Sequence, residues 1–204
     1  MKRNPILVVF AFVFFAAACS SGEKGGGRKV VVFSSGKMQQ DSKDITTITI
    51  EPGNRHEELE ISLTGDQKTV TVKSPSGDKT YEVAEDGIYL LNLKSDTLIG
   101  SAVNFGADNQ RTAISAEELD HMIDSTQQLM MGENASDEKK TFFLPPNAIK
   151  KISTNVNAQL LSPFKNIPYE VTADENGNAP EMYKFFTNKQ KREALKELID
   201  RLRS

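Results

Sequence analysis

Glu117, His121 and Asp124 form the most metal-like set in the chain, because spacings of four and three residues align them on one stripe of a helix. Two carboxylates and an imidazole can hold a divalent cation where water competes weakly and neighbours orient the ligands. On the same helix Leu119, Ile123 and Met130 point nearly the opposite way. The acidic stripe therefore reads as a solvated face, and no metal is expected there. Asp174-Glu175-Asn176-Gly177-Asn178 alternates oxygen ligands like the start of a calcium loop. Its glycine comes at the fourth position rather than the sixth, and Phe185 stands where the closing glutamate belongs, so it reads as a polar turn.

Other constellations fail on geometry. Glu57, Glu58 and Glu60, like Glu85 and Asp86, offer carboxylates to a glycosidase. Adjacent strand residues point to opposite faces, so neighbours cannot act together on one bond. Val30-Val31-Val32-Phe33 runs into Gly36-Lys37 as a phosphate loop would, but Val31 occupies the first glycine position and Met38 the magnesium-binding hydroxyl position. No Gly-x-Ser-x-Gly elbow presents a serine nucleophile. No catalytic residue, cofactor or metal is assigned from the sequence.

The remaining chemistry is aromatic. Phe142, Phe143, Phe164, Tyr169, Tyr183, Phe185 and Phe186 are seven of the eleven aromatic residues beyond position 18, and five prolines punctuate them. Phe142, Phe143, Phe164, Tyr169 and Tyr183 are candidates for a partner surface, since rings and prolines suit protein docking. They suit equally a small core joining helices to a sheet, and that reading has the greater weight for most of the set.

The elements that would position these residues fall into two regions. From Lys29 to Gly106 the pattern is that of strands: 29–33, 44–51, 57–63, 68–73, 79–83, 87–93 and 97–105 are β-branched or alternating. Thr64-Gly65-Asp66-Gln67 and Ser74-Pro75-Ser76-Gly77 read as turns, and Glu85-Asp86-Gly87 as the close of a hairpin. This spacing predicts an antiparallel β-sandwich over 29–106. The strand Gly87-Ile88-Tyr89-Leu90-Leu91-Asn92-Leu93 is similar to strands of immunoglobulin-like and prealbumin-like modules. Residues 107–204 are expected to be a helical, aromatic- and proline-rich region, packed on the sandwich or standing as a small second unit. Ser115-x-x-Glu118 and Thr187-x-x-Gln190 are capping boxes that open its helices, and Gly132 is a stop for the first. The fold class is α+β.

The first 28 residues carry an address. Lys2 and Arg3 precede an apolar run from Ile6 to Ala18, and Ala16-Ala17-Ala18 stands directly before Cys19, the one cysteine. The run falls short of the roughly 20 residues a spanning helix needs. The Ala16-Ala17-Ala18-Cys19 stretch resembles the lipobox of bacterial lipoproteins, with Ala16 where that family favours leucine. The resemblance implies cleavage before Cys19, acylation of its thiol and amine, and a bilayer as the first partner. Residues 1–18 are then a signal peptide and 19–28 a lipidated, glycine-rich tether. Ser20 and Ser21, with no aspartate, resemble outer-membrane sorting in enterobacterial lipoproteins. An ordinary secretory peptidase cutting at the same bond is the alternative.

Without residues 1–18 the 25 basic residues lose Lys2 and Arg3, against 28 acidic ones, for a net charge of −5. A mildly acidic chain has no electrostatic reason to bind nucleic acid. A single cysteine excludes an internal disulfide and a Cys-ligated zinc site. The expected function is a non-catalytic binding or assembly module for another envelope protein. An envelope hydrolase and a small-ligand carrier are the alternatives, the carrier requiring a cavity between sheet and helices.

Overall fold

Val30-Val31-Val32-Phe33 is apolar at every position, so the strand that contains it must be covered on both faces. In the computed structural model, which describes residues 27–105, 115–173 and 177–202, all four side chains are at most 3% exposed. They belong to β1 (Arg28–Gln40), followed by β2 (Thr47–Leu63), β3 (Thr69–Lys73), β4 (Lys79–Glu82), β5 (Gly87–Leu93) and β6 (Leu98–Ala102). Then come α1 (Ala116–Met130), β7 (Thr141–Leu144), β8 (Ala148–Ser153), β9 (Gln159–Leu161), β10 (Met182–Thr187) and α2 (Asn188–Leu202). The strands make a six-stranded sheet, β4-β3-β2-β1-β5-β8, and a four-stranded sheet, β7-β6-β10-β9.

Two cores lie on opposite faces of β1 and β5. Val31, Phe33, Ile88 and Leu90 meet Leu98, Phe142, Leu144, Tyr183 and Phe185 of the four-stranded sheet. On the other face Val30, Val32, Tyr89 and Leu91 meet Ile48, Ile61, Val70, Val72 and Val83. That second core closes because the β1–β2 hairpin bends. The register jumps from Ser35↔His56 to Gly36↔Pro52, leaving residues 53–55 as a bulge. Gly36 has φ of 132° and faces the Glu51 carbonyl so closely that a Cβ would overlap it. Each fully buried Val, Leu, Ile or Phe contributes about 1.5–3 kcal/mol.

Three sequence expectations need correction. The sheets are mixed: β1 pairs with β5, β2 with β3, and β10 with β9 in parallel. Glu85-Asp86-Gly87 closes no hairpin, because β4 pairs with β3 at one edge whereas β5 crosses over to lie beside β1. Gly87 and the other residues of this connection have the same turn chemistry in either topology, so local sequence could not separate them. Finally, 107–204 is not chiefly helical. It contributes β7, β8, β9 and β10 as well as α1 and α2; the aromatic strands β7 and β10 enter the four-stranded sheet with β9, and β8 enters the six-stranded one. The boundary expected at 106/107 cuts across both sheets, since β8 completes the first beside β5 and β6 lies inside the second.

The helix starts form as their sequences specify. The Ser115 hydroxyl accepts from the Glu118 amide while the Glu118 carboxylate accepts from the Ser115 amide. Thr187 and Gln190 make the same exchange at 3.2 and 3.0 Å. Gly132, with φ of 86°, follows the end of α1. The Asn188 side chain donates to the Met130 carbonyl at 3.2 Å and links the two helices. No described helix is long and apolar enough to cross a membrane.

Candidate functional site

The bulge in β2 delivers His56 to a corner between the sheets. Its Nδ1 accepts from Lys94 Nζ at 3.0 Å, and its Nε2 donates to Glu58 Oε1 at 3.0 Å. Lys94 Nζ also donates to the Ser34 carbonyl at 3.2 Å. The other Glu58 oxygen accepts from Lys165 Nζ at 2.6 Å. These partners fix the imidazole tautomer with its hydrogen on Nε2. The ring is held edge-on by Phe33, 5.7 Å away between centroids, and covered by Phe164 at 4.9 Å. Lys94 Nζ lies 5.6 Å from the Phe164 ring centre.

Lys184 completes the arrangement. It lies on β10 with only 6% of its surface exposed, and its amine donates to the carbonyls of Ser162 and Lys165. The stretch after β9 is thus tied by two side chains, Lys184 through its backbone and Glu58 through Lys165. From this tied base three large apolar side chains project: Phe164 at 63% exposure, Ile167 at 45% and Tyr169 at 98%.

Burial pushes His56 below the ordinary histidine value; the Glu58 hydrogen bond opposes that shift and the nearby Lys94 reinforces it. Burial likewise holds Lys94 below the ordinary lysine value, against the pull of Glu58 and Asp96. For Glu58 burial acts upward, but hydrogen bonds from Lys165 and His56 help to outweigh it and keep the carboxyl below its usual range. His56 is therefore neutral at neutral pH, and both its nitrogens are engaged. The chain Lys94–His56–Glu58–Lys165 holds the loop in place and leaves the imidazole no free nitrogen with which to take a substrate's proton.

The aromatic candidates from the sequence separate. Phe164 and Tyr169 are exposed and share this loop, whereas Phe142 and Tyr183, each 1% exposed, are core. Phe143 is half-buried with its ring against Gly132. The Tyr183 ring stands edge-on to Phe142 at 5.6 Å, and its hydroxyl donates to Glu181, which also accepts from Ser153 at 3.0 Å and Lys140 at 3.3 Å. Burial, with the Glu181 carboxylate, raises the Tyr183 hydroxyl to about 12.

Glu117, His121 and Asp124 are all exposed, and no cluster of three potential metal-ligating side chains occurs among the described residues. Glu57 accepts from the Met38 amide at 2.8 Å while Glu58 joins His56, as opposite-facing neighbours must. Glu85 pairs with Lys151 at 2.8 Å. Cys19 and Asp174 to Asn176 lie outside the described residues.

His56, Lys94, Lys165 and Lys184 did not emerge from the sequence. One usable signal is Lys184 in Met-Tyr-Lys-Phe-Phe-Thr, a lysine in an otherwise apolar strand that needs acceptors close by. Comparison with protein-family models, with curated proteins and with solved structures finds no match to this chain.

Proposed function

We propose that this protein is a bacterial envelope lipoprotein, tethered by acylated Cys19, that works as a non-catalytic docking module for another envelope protein through the loop bearing Phe164, Ile167 and Tyr169. The observation that carries this reading is an exposed apolar tip on a fixed base. Three large apolar side chains within six residues are open to solvent, yet Lys184 and Glu58 hold the backbone beneath them. Such preorganised aromatic anchors lose little conformational freedom on binding and dominate interface energetics.

The facing sheets support an immunoglobulin-like or prealbumin-like sandwich as the scaffold. The Tyr89 hydroxyl donates to the Glu85 carbonyl at 3.0 Å and accepts from its amide at 3.2 Å, a return bond of the kind found at tyrosine corners. In this reading the glycine-rich tether sets the reach of the module above an outer-membrane leaflet.

The experiment is the native size of the protein extracted from its own membranes. A complex larger than the 22.6 kDa chain, reduced to the single chain by the double substitution Phe164→Ser and Tyr169→Ser, supports docking through the loop. Unchanged migration of the folded double variant contradicts it.

A further inference from the structure

Helix α1 covers the outer face of the four-stranded sheet without burying a single residue of its own. Between it and β6 lies a cleft of about 570 Å³, within the range of roughly 300–1,000 Å³ typical of small-molecule sites. Ile99 and Phe186 contribute apolar floor, and Leu129 of α1 apolar wall. At the α2 side stands Lys191, half-buried, with its Nζ 4.2 Å from the centre of the Phe186 ring. Among the described residues no carboxylate lies within salt-bridge distance of Lys191. Burial alone holds it below the ordinary lysine value. The other ionisable side chains lining the cleft are Lys139, Asp124 and His121, so its lysines outnumber its single carboxylate.

A half-buried ammonium without a counter-ion is an unfavourable arrangement that a bound anion would relieve. The rest of the cleft is apolar enough to hold the body of that anion. We propose that the cleft between α1 and the outer sheet face binds a small amphiphilic carboxylate, its head on Lys191 and its apolar body against Ile99, Leu129 and Phe186. This site is separate from the Phe164 loop and does not depend on the docking reading. The absence of buried residues in α1 gives the ligand a wall that can move aside at small cost.

The test uses 3-phenylpropanoate as the probe, titrated calorimetrically into the full-length chain in lipid nanodiscs, with empty discs as reference. The uncharged 3-phenylpropan-1-ol and the cationic 3-phenylpropylamine are the comparison compounds. The carboxylate should bind at least about tenfold more tightly than either, as expected of a charge-assisted contact. Lys191→Met should cost about tenfold or more, while Lys191→Arg, which keeps the charge, should retain most of the affinity. Leu129→Trp should block the probe by filling the cleft while leaving Lys191 in place, which keeps the test decisive if Lys191→Met folds poorly. Equal binding of alcohol and carboxylate, full affinity in a folded Lys191→Met, or no carboxylate binding at about 10 mM would each overturn the proposal.

Discussion

Lys94 Nζ lies 3.0 Å from His56 Nδ1, a contact between residues 38 positions apart that ties the end of β5 to the bulge of β2. One of the two ties on the exposed loop runs through that contact, the other being Lys184. His56 passes the link to Glu58, Glu58 to Lys165, and Lys165 is the residue next to Phe164. A polar chain that runs from buried Lys94 to exposed Lys165 stabilises most where it is buried, and there only while each member keeps its partner.

The chain should show itself in the pH dependence of stability. Burial holds folded His56 below 6.5, the ordinary histidine value. In the window just below 6.5 the unfolded chain therefore binds a proton that the folded chain does not. Stability is complete above this window and is lost as pH falls through it, until folded His56 also protonates. The urea midpoint should drop between about pH 7.5 and about pH 5.5, and His56→Gln should flatten that slope. Glu58, held below its usual range, acts in a separate and more acidic window. An identical slope in the two proteins would sink this assignment.

Lys184 is predicted to be the fastener of the loop. Lys184→Met keeps the apolar stem but removes the donor to the Ser162 and Lys165 carbonyls, at a cost of about 1–3 kcal/mol. Amide exchange over 163–169 should accelerate while the amides of β1 keep their protection. Unchanged exchange in the loop would show that the lysine does not hold it.

Gly100 on β6 lies opposite Phe185 on β10, whose ring packs over it in the core shared by the two sheets. A Cβ there would overlap the Phe185 ring, which is itself fully buried. Gly100→Ala should destabilise the protein by about 1–3 kcal/mol. Adding Phe185→Leu should make the pair less costly than the separate effects combined, because the smaller side chain relieves the overlap. Strict additivity in urea denaturation would contradict direct contact as the cause.

These residues also show what the sequence makes legible. The capping boxes at Ser115 and Thr187, the Gly132 stop and most strands of 29–106 are set by local chemistry and are found where the pattern predicts them. However, 44–51 and 57–63 are the two halves of the single bulged β2, and the strand expected at 29–33 runs on to Gln40. Parallel pairing of β1 with β5 is set by which faces meet across the whole fold, and no local pattern reports it. In 107–204, Gln159–Leu161 is only three residues long, too short for a period to register, and Met182–Thr187 is buried on both faces, so it shows no apolar–polar alternation. The exposed pair Phe164 and Tyr169 was among the candidates by type. What distinguishes it from Phe142 and Tyr183 is burial, which single-residue chemistry cannot supply.

The anchor is tested independently of the loop. Cys19→Ser should abolish acylation, and the protein should then leave the membrane fraction or accumulate as uncleaved precursor. A mutant that matures and fractionates as the wild type does would remove the lipoprotein reading while leaving the fold untouched.

The central claim is that the Phe164–Tyr169 loop touches another envelope protein. The most direct measurement places a photo-cross-linking amino acid at position 169 in living cells, with position 80 on the exposed edge strand β4 as control. The account predicts one dominant cross-linked protein from position 169, absent from position 80 and lost when Phe164→Ser is added. Equal labelling from both positions, or a product indifferent to Phe164, would contradict it.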